Sequence, residues 1–485
     1  MQSYQLFIGG DWVDAASRQT FATVNPADTR EQVATYPSAG PAEMRQAFDA
    51  AATAFPAWAA MTPVARGRIL SQTSQILATR KAALAELLTR EEGKTLAEAT
   101  GEVQRAIDIF RFYGGVSYTL GGQTLPHDLP GNLLFTRRDP LGVVALITPW
   151  NFPVAIPAWK TAPALLCGNS VVLKPASATP ALALELAKAL AEAGLPRGVL
   201  NVVTGPGQSF GDELAAHRSV AAVSFTGSQS VGTRLYTAVA PRRVRSQMEM
   251  GGKNPTIVLA DADLDLAARL VAIAGFGLTG QACTATSRVI VERGVLEPFT
   301  EKLIAKAKAI RVGNGLSEGV TMGPAVSESQ LATNVDYVGI ATSDGARLVS
   351  GGHRLADGPH AHGWFMEPTV LADVKPGSRI ACEEVFGPVV GVLAVDDFEQ
   401  AIAVANEVEF GLSASVVTRD FAKALRYVDR IQAGVVKVNQ ISTGLALQAP
   451  FGGVKGSSTD SFREQGLAAL DFYTRSRTVY LDYSA

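Results

Sequence analysis

The stretch from GVVALIT (142–148) to AAVSF (221–225) decides the fold. Between these two runs lie two further apolar runs, SVVLK (170–174) and VLNVV (199–203), and two helical patterns, ALALELAKALAEAG (181–194) and residues 208–216. Short apolar strands that alternate with helices build βαβ units and a parallel sheet. Ligands bind such sheets beyond the carboxyl ends of the strands. We therefore predict an α/β domain with a binding site along that edge.

The same alternation starts again after Gly251-Gly252. TIVLA (256–260) is followed by a helix from Asp263, the strand SRVIVE (287–292) and a helix from Glu297. A second series of alternating strands and helices is typical of a second sheet that is covered by its own helices. We therefore predict a second α/β domain that begins near residue 251.

The regions on either side of this α/β pattern are different. The first hundred-odd residues are helical in character, with one apolar helical pattern over 63–92 and another over 96–113. After Gly121-Gly122, two short extended pieces flank a Pro-Gly turn and predict an exposed hairpin. From Phe462, a short helix and the strand-like TRSRTVYLDY (474–483) complete the pattern.

One segment resembles a membrane span at first sight. From Pro140 to Trp159 the chain has no charged residue and is long enough to cross a bilayer. The segment also holds four prolines and Asn151, and proline removes helical hydrogen bonds. We interpret it as a buried strand that runs into an irregular loop, and we expect no association with membranes.

Composition narrows the classes of function. The chain has 485 residues with 43 Lys+Arg against 45 Asp+Glu, a net charge of −2, and 47% of its residues are hydrophobic. A disordered chain has lower hydrophobicity and higher net charge, and a nucleic-acid binder that relies on a basic surface has excess positive charge. We expect neither class. Three scattered cysteines and an N-terminus without a signal-peptide pattern predict a reducing, cytoplasmic location.

Several familiar motifs are incomplete. Gly93-Lys94-Thr95 lacks the upstream glycine of a phosphate-binding loop, and we interpret it as an exposed break after a long helix. Ser228 occupies the first glycine position of a hydrolase nucleophile elbow, so this motif also fails. His360 and His362 lie in a Gly/Pro-rich turn, and we expect no metal site there.

Three features at strand ends favour a nucleotide site. Gly205-Pro206-Gly207 follows one strand, although Gly211 comes one residue too late for the G-x-G-x-x-G motif. Phe225-Thr226-Gly227-Ser228 leads from the next strand into a helix, whose free N–H groups suit a pyrophosphate. Lys174 adds a cation at the end of a third strand. Each feature could be an ordinary turn or surface charge, but together they favour nucleotide binding.

Two residues stand out chemically. Cys283 lies in a loop of small residues between Gly280 and Ser287, where a substrate could approach a thiolate that backbone N–H groups stabilise. Glu249 lies between two methionines, just before Gly251-Gly252. An apolar setting would raise the pKa of this carboxyl and make it a plausible general base. Cys283 and Glu249 are therefore the candidates for nucleophile and base.

Eight ordered motifs resemble those of NAD(P)-dependent aldehyde dehydrogenases along essentially the whole chain. They are PWNFP (149–153), VVLKPAS (171–177), FTGS (225–228), MEMGGKNP (248–255), GQAC (280–283), EEVFGPV (383–389), EFGLSA (409–414) and PFGGVKGSS (450–458). The resemblance implies an α/β fold with two Rossmann-like domains and a small β element for oligomerisation. The dinucleotide-binding domain would comprise residues 1–122 and 142–250, the catalytic domain 251–457, and the oligomerisation element 123–141 and 458–485.

The resemblance also implies catalytic roles. Cys283 would be the nucleophile that attacks the aldehyde, and its backbone N–H and the Asn151 side chain would form the oxyanion hole. Glu249 would activate the water that hydrolyses the resulting thioester. Lys160 and Glu464 match a polar pair that relays protons to the general base in some members of the family.

Cofactor contacts are implied in the same way. Lys174 would bind the adenosine ribose, Glu384 the nicotinamide ribose, and Phe386 would lie against the nicotinamide ring. The remaining implied contacts are Trp150, Ser177, Gly207, Phe225, Gly227 and Ser228. Members that prefer NAD usually carry Glu at the position of Ser177. We therefore expect this chain to accept NADP as well as NAD.

The resemblance implies that the substrate is a small aldehyde. The segments 283–288 and 455–480 resemble the subgroup that oxidises α-ketoglutarate semialdehyde (2,5-dioxopentanoate). Succinate semialdehyde and a broad specificity are alternatives, as are a CoA-acylating reaction and a non-catalytic protein on the same fold. A negatively charged aldehyde favours a cation at the mouth of the pocket, for which Arg288 and Arg463 are candidates. The resemblance also predicts a homodimer or homotetramer.

Overall fold

The structure, a computed structural model, describes residues 2–484. The apolar runs between residues 142 and 225 form the centre of a first sheet of seven strands. Across this sheet the strands follow the order Arg245–Glu249, Val220–Thr226, Val143–Ile147, Ser170–Lys174, Leu200–Val202, Leu6–Ile8 and Asp11–Val13. The first five strands are parallel, and the two N-terminal ones add in antiparallel orientation. The predicted parallel sheet is confirmed.

Helices surround this sheet and bury its two faces. They are Pro41–Ala60, Pro63–Thr79, Lys81–Glu92, Leu96–Val116, Ala155–Leu166, Ala181–Glu192, Gly207–Ala216 and Gln229–Val239. The helical pattern predicted over 63–92 divides at Arg80, which leaves the helical conformation with φ −102° and ψ 3°. The apolar spacing continues across Arg80, so this break has no counterpart in the hydrophobic pattern.

The predicted helical character of the N-terminal region is wrong for residues 2–37. Three strands form a small sheet here, in the order Gln2–Ser3, Asp28–Pro37 and Thr20–Asn25. Thr20–Asn25 and Asp28–Pro37 pair as an antiparallel hairpin. Strands that pair so close in sequence need only a short turn and one buried face. The resulting alternation of apolar and polar residues is weak here and is easily missed beside strong helical patterns.

The uncharged segment from Pro140 to Trp159 is only partly the predicted strand and loop. The strand Val143–Ile147 is confirmed, but a helix, Ala155–Leu166, begins inside the predicted irregular loop. Pro157 is tolerated because the first turn of a helix needs no N–H donors. All residues of this helix are buried, which explains the lack of charge. Within residues 2–484, no helix is long and apolar enough to cross a membrane.

A second sheet of seven strands follows residue 253. Its strand order is Arg347–Ser350, Thr369–Ala372, Val389–Val395, Thr286–Glu292, Asn254–Val258, Ser413–Val417 and Val435–Val438. Only Arg347–Ser350 runs antiparallel to its neighbour. The longer helices around it are Leu264–Phe276, Leu296–Lys308, Glu328–Ser343, Phe398–Asn406 and Phe421–Arg430. The predicted second α/β unit is therefore present.

Another small sheet, which we call the third sheet, is built from distant parts of the chain. The predicted hairpin is confirmed as Thr124–Leu125 and Asn132–Pro140, which pair in antiparallel orientation. Thr474–Asp482 pairs along the whole of Asn132–Pro140, from Thr474 opposite Pro140 to Asp482 opposite Asn132. This last strand lies at the edge of the sheet, directly after the short helix Ala469–Tyr473.

Candidate active site

The two large sheets meet at one cavity of about 210 Å³. The first sheet contributes loops that follow its strands, which is the carboxyl edge expected for a ligand site. The second sheet contributes loops that precede its strands, so its amino edge faces the cavity. The lining residues are Pro149, Trp150, Asn151, Ile156, Thr226, Gly227, Ser228, Met250, Gly251, Cys283, Gln330, Glu384 and Phe386. Six of the residues predicted for the site thus share this cavity with Cys283.

A sharply bent loop presents Cys283. Leu278 and Thr279 both have left-handed backbone conformations, with φ of 54° and 58°, which are costly for residues other than glycine. Gly280 follows with φ 68°, and a Cβ at this position would collide with the carbonyl of Gly387. After the bend, the Asn254 side-chain amide donates to the Cys283 carbonyl at 2.8 Å. The surrounding structure therefore fixes the backbone on both sides of the thiol.

The Asn151 side chain is buried and tied to the same loop. Its amide Nδ2 donates to the carbonyl oxygen of Gln281 at 2.8 Å. An asparagine amide has two N–H donors, so this bond leaves one donor for a ligand. The bond also connects the loop after strand Val143–Ile147 to the loop that carries Cys283. Asn151 and Cys283 are 132 positions apart in the sequence, yet they line one cavity.

The surroundings of Cys283 favour the thiol over the thiolate. The pKa of Cys283 is raised from 9.0 to about 12. Burial is the largest cause of this rise, and the nearby carboxylates of Glu384, Glu249 and Glu464 also contribute to it. The backbone N–H of Cys283 itself acts in the opposite direction, as the predicted stabilisation of a thiolate requires, but its effect is the smaller one. A base must therefore remove the proton before the sulfur can react as a nucleophile.

Glu249 is the last residue of strand Arg245–Glu249 and is buried. Its carboxylate accepts hydrogen bonds from the Gly453 N–H and the Ser458 hydroxyl, each at 3.1 Å. Burial raises the pKa of Glu249 well above its ordinary value, and the charge of Glu464 adds to that rise. A carboxyl with a raised pKa is a stronger base once it is ionised.

Lys160 and Glu464 form a buried ion pair behind Glu249. Glu464 also accepts hydrogen bonds from the Trp159 indole at 2.9 Å and from the Ser224 hydroxyl at 3.3 Å. The Lys160 ammonium donates to Ser224 as well, at 2.6 Å. The charge of Glu464 raises the pKa values of Glu249 and Cys283, and the charge of Lys160 lowers that of Glu249, so this pair belongs to the same electrostatic network.

The predicted cofactor residues divide between two neighbouring cavities. Trp150, Gly227, Ser228, Glu384 and Phe386 line the cavity of Cys283. A second cavity of about 280 Å³ is lined by residues that include Lys174, Gly207 and Phe225. Ser177 lines neither cavity, and its hydroxyl donates to the Gly205 carbonyl at 3.2 Å.

Glu384 and Phe386 lie in the loop before strand Val389–Val395. The Glu384 carboxylate accepts the Gly252 N–H at 3.0 Å, and burial raises the pKa of Glu384 to about 7. Phe386 has a left-handed backbone with φ 59°, and its ring meets the ring of Trp150 edge-on at 5.3 Å between centroids. Gln330 holds this turn by donating to the Phe386 carbonyl at 3.2 Å.

Comparison with models of known protein families identifies the family of this chain. The model of the aldehyde dehydrogenase family matches residues 12–479. The chain belongs to the aldehyde dehydrogenase family. It is an oxidoreductase that acts on aldehydes, as predicted from the eight motifs.

Known proteins similar to this aldehyde dehydrogenase agree with that assignment. An alpha-ketoglutarate semialdehyde dehydrogenase of Haloferax volcanii is 50% identical over 477 residues, which cover 98% of each chain. An alpha-ketoglutaric semialdehyde dehydrogenase of Bacillus subtilis is 46% identical over 99% of this chain and 98% of its own. The crystal structure of an NAD-dependent aldehyde dehydrogenase from Sinorhizobium meliloti matches with a TM-score of 0.96 and 37% identity, over 100% of this chain and 95% of that one.

In this aldehyde dehydrogenase, Lys94 is buried, so the prediction that Gly93-Lys94-Thr95 is an exposed break is wrong. Gly93-Lys94-Thr95 does end a helix, with Gly93 at φ 100°, but the break is not exposed. Lys94 is 1% exposed, and its ammonium donates to the Glu102 carboxylate at 2.5 Å and to the Asn151 carbonyl at 2.7 Å. The only sequence sign of burial was the close succession of acidic residues around a single lysine.

The two arginines predicted for the pocket mouth have other partners. Arg288 is fully buried, and its guanidinium donates to the carbonyls of Lys253, Val404 and Ala405 at 3.0, 3.0 and 2.6 Å. It therefore caps the end of helix Phe398–Asn406, and its predicted role as a cation at the pocket mouth is wrong. Arg463 donates to the Gly453 carbonyl and pairs with Asp460 at 2.9 Å.

Other residues of the enzyme were not anticipated from the sequence. Arg234, on the helix after Ser228, lines the cavity of Lys174, together with one acid, Asp212. The Ser458 hydroxyl donates to Glu249 at 3.1 Å. His360 binds the Val312 carbonyl at 3.0 Å, and no group of three or more potential metal ligands occurs within residues 2–484.

Proposed function

We propose that this aldehyde dehydrogenase oxidises α-ketoglutarate semialdehyde to α-ketoglutarate with NAD(P) as the hydride acceptor. The observation that carries the proposal is the 50% identity, over 98% of both chains, to an alpha-ketoglutarate semialdehyde dehydrogenase. The cavity that joins Asn151, Cys283, Glu384 and Phe386 supports the chemistry.

The reaction needs a nucleophile, an oxyanion site and a base. The Cys283 sulfur bonds to the aldehyde carbon while its proton passes to Glu249. The carbonyl oxygen becomes an oxyanion, which the Asn151 amide and the Cys283 N–H stabilise. The bond between Asn151 and Gln281, at 2.8 Å, supports this role because it holds the two donors in one rigid unit.

The second half of the reaction releases the acid. When bound, the nicotinamide cofactor supplies the hydride acceptor, and Cys283 is then left as a thioester. Glu249 first loses the proton that it took from Cys283 and then takes one from water, the water oxygen bonds to the thioester carbon, and the carbon–sulfur bond breaks. The Cys283 thiolate that leaves takes the proton of the carboxylic acid product. Lys160 and Glu464 carry the proton away from Glu249. Their ion pair behind the base supports this path.

The free thiol is expected to react with a characteristic pH dependence. Because burial raises the pKa of Cys283 to about 12, the thiolate fraction of the cofactor-free enzyme should grow about tenfold per pH unit through the neutral range. Alkylation by iodoacetamide, followed by mass spectrometry of the Cys283 peptide, measures this fraction. A rate that is already constant around neutral pH would contradict the raised pKa.

We propose that Lys174, Ser177 and Gly207 bind the adenosine half of the cofactor and that NADP is accepted. Lys174 and Arg234 place two cations at the adenosine cavity against the one acid, Asp212. Burial lowers the pKa of Lys174 to about 8, and an approaching phosphate would favour its charged form.

Replacing Ser177 with glutamate tests this preference. We expect the Ser177→Glu variant to lose about tenfold or more of its kcat/KM for NADP and to keep that for NAD, because a carboxylate repels the 2′-phosphate. The control is Ser177→Gln, which adds similar volume without charge. An equal loss with both cofactors in Ser177→Glu would place Ser177 away from the 2′-phosphate.

A panel of aldehydes tests the substrate. We expect α-ketoglutarate semialdehyde to give the highest kcat/KM, above succinate semialdehyde and neutral aldehydes such as hexanal. Each aldehyde is measured with NAD and with NADP. Equal efficiency on neutral aldehydes would reject an acidic semialdehyde as the substrate class, and a preference for succinate semialdehyde would favour that alternative.

We propose that the third sheet, with residues 123–141 and 458–485, is an oligomerisation element that makes a homodimer or homotetramer. Its outer strand, Thr474–Asp482, leaves one edge unpaired, and such edges invite pairing with another chain. Large apolar side chains are exposed on or beside this sheet, namely Leu125, Leu129, Leu133, Tyr480 and Leu481. Multi-angle light scattering of the purified enzyme measures the oligomeric state.

The remaining division of the chain follows from the same reasoning. We propose residues 1–122 and 142–250 as the dinucleotide-binding domain and 251–457 as the catalytic domain, supported by the two large sheets. We also propose a cytoplasmic location, because the three free cysteines, Cys283 among them, stay reduced in such a compartment.

A further inference from the structure

A group of four charged residues near the junction of two helices contacts the loop that carries Asn151 and the loop that carries Cys283. They are Glu92, Lys94, Glu98 and Glu102, and we call them the 92–102 brace. The segment leaves helix Lys81–Glu92 at Gly93 and enters helix Leu96–Val116. Glu92, Lys94 and Glu102 are buried. None of the catalytic steps above uses these residues.

The Lys94–Glu102 pair holds the loop of Asn151 at two points. The Lys94 ammonium donates to the Asn151 carbonyl at 2.7 Å and lies 4.7 Å from the centre of the Phe152 ring. Glu102 accepts the N–H groups of Val154 and Ala155 at 3.0 and 3.1 Å. The 2.5 Å ion pair between Lys94 and Glu102 closes the arrangement. The backbone from Asn151 to Ala155 is therefore fixed at both ends.

Glu92 completes the charge balance at Lys94. Its carboxylate accepts the Lys94 backbone N–H at 2.9 Å and lies 3.8 Å from the Lys94 ammonium. A buried charge is tolerated only when it is paired and hydrogen-bonded. Lys94 meets both conditions, so its position is well determined.

Glu98 holds the other loop. Its carboxylate accepts the backbone N–H of Leu278 at 2.7 Å. Leu278 is the first of the two left-handed residues that turn the chain toward Cys283. The other carboxylate oxygen of Glu98 accepts the N–H and hydroxyl of Thr95 at 2.9 and 2.8 Å, in the capping box of helix Leu96–Val116. The same helix end thus contacts the Asn151 loop and the Cys283 loop.

We propose that the 92–102 brace sets the distance between the Asn151 amide and the Cys283 N–H, with Lys94 as a positioning residue for the oxyanion. This inference rests on the proposed oxyanion role of Asn151. Lys94 does not contact the cavity itself, and it acts through the backbone of Asn151. A displacement of about 1 Å at a reacting centre costs about 10²-fold in rate, so a loosened brace lowers kcat without weakening cofactor binding.

The test is a double-mutant cycle of Lys94→Met and Asn151→Ala. We expect Lys94→Met to lower kcat about 10- to 100-fold, with the NAD(P) dissociation constant and the iodoacetamide reactivity of Cys283 within about twofold of the parent enzyme. If Lys94 acts through Asn151, the double variant loses little more than Asn151→Ala alone, because residues that act as a unit are not additive. The matched control is Lys81→Met, since Lys81 bonds Gln104 of helix Leu96–Val116 at 2.9 Å and has no hydrogen bond to either loop.

The outcomes separate the brace from the oxyanion hole. Losses that multiply in the double variant, or a kcat of Lys94→Met within about twofold of the parent enzyme, would overturn the brace. A normal kcat in Asn151→Ala would instead overturn the proposed role of Asn151. If Lys94→Met does not fold, as circular dichroism reports, Glu98→Ala takes its place in the cycle with the same expectations for kcat, cofactor binding and the double variant, because Glu98 reaches the Cys283 loop and is only half-buried.

Discussion

The Cys283→Ala variant is expected to lose aldehyde oxidation by about 10⁴-fold or more, because no other group replaces the bond between sulfur and the aldehyde carbon. Cofactor binding should persist, since Lys174 and Gly207 line a separate cavity. Steady-state formation of NAD(P)H measures the first property, and quenching of protein fluorescence on cofactor binding measures the second.

Cys382 offers the matched control for this variant. It is also a free cysteine of intermediate exposure, and it ends the short helix Arg379–Cys382 outside the cavity of Cys283. Cys382→Ala should keep near-normal activity. Substantial oxidation by Cys283→Ala, or a loss of equal size in Cys382→Ala, would remove the special role of Cys283.

Replacing Glu249 with glutamine is expected to separate the two halves of the reaction. The glutamine carbonyl can still accept the Gly453 N–H, and its amide N–H can donate to the Ser458 hydroxyl in place of the present bond in the other direction, but the side chain cannot accept a proton from water. Hydrolysis of the thioester should slow by about 10²- to 10⁴-fold, the usual contribution of a general base. At high pH, where the Cys283 thiolate forms without a base, rapid mixing should show a burst of NAD(P)H followed by a slow steady state.

Glu213→Gln is the control for Glu249→Gln. Glu213 is also a buried carboxylate, and it pairs with Arg45 at 3.0 Å on the helix Gly207–Ala216. This variant should show no change in the ratio of burst to steady-state rate. A Glu249→Gln enzyme with normal turnover would show that another group activates the water.

Most of the parallel strands could be predicted because each contains a short apolar run that is buried, such as VVALI in Val143–Ile147 and VIV in Thr286–Glu292. Both strands lie in the interior of their sheets, with a neighbouring strand on each side, and their apolar runs follow from burial on both faces. The N-terminal hairpin could not be predicted in the same way. Its strands have many half-exposed positions, so the alternation of apolar and polar residues is weak.

The helix Ala155–Leu166 shows why proline is an imperfect guide. Two prolines, Pro157 and Pro163, lie inside it, and proline in a helix interior removes a hydrogen bond. Pro157 lies in the first turn, where no bond is lost, and burial of the whole helix offsets the loss at Pro163. Tertiary packing decided this segment, and the sequence pattern alone does not show packing.

The chemistry of Cys283 and Glu249 could be anticipated because their neighbours are small or apolar. The contacts that orient them could not, since they come from distant parts of the chain. Gly453 and Ser458 reach Glu249 from more than two hundred positions away. The burial of Lys94 could not be predicted, because its carbonyl partner, Asn151, is 57 positions away. Its acidic partner, Glu102, lies on the next helix.

The proposed mechanism requires that the substrate becomes covalently attached to Cys283. The most direct test mixes Glu249→Gln enzyme with NAD(P) and α-ketoglutarate semialdehyde at high pH, stops the reaction with acid, and maps the modified peptide by mass spectrometry. We predict an acyl group on Cys283, in an amount that matches the burst of NAD(P)H. A burst of full size with an unmodified Cys283, or with the acyl group on another residue, would contradict the account.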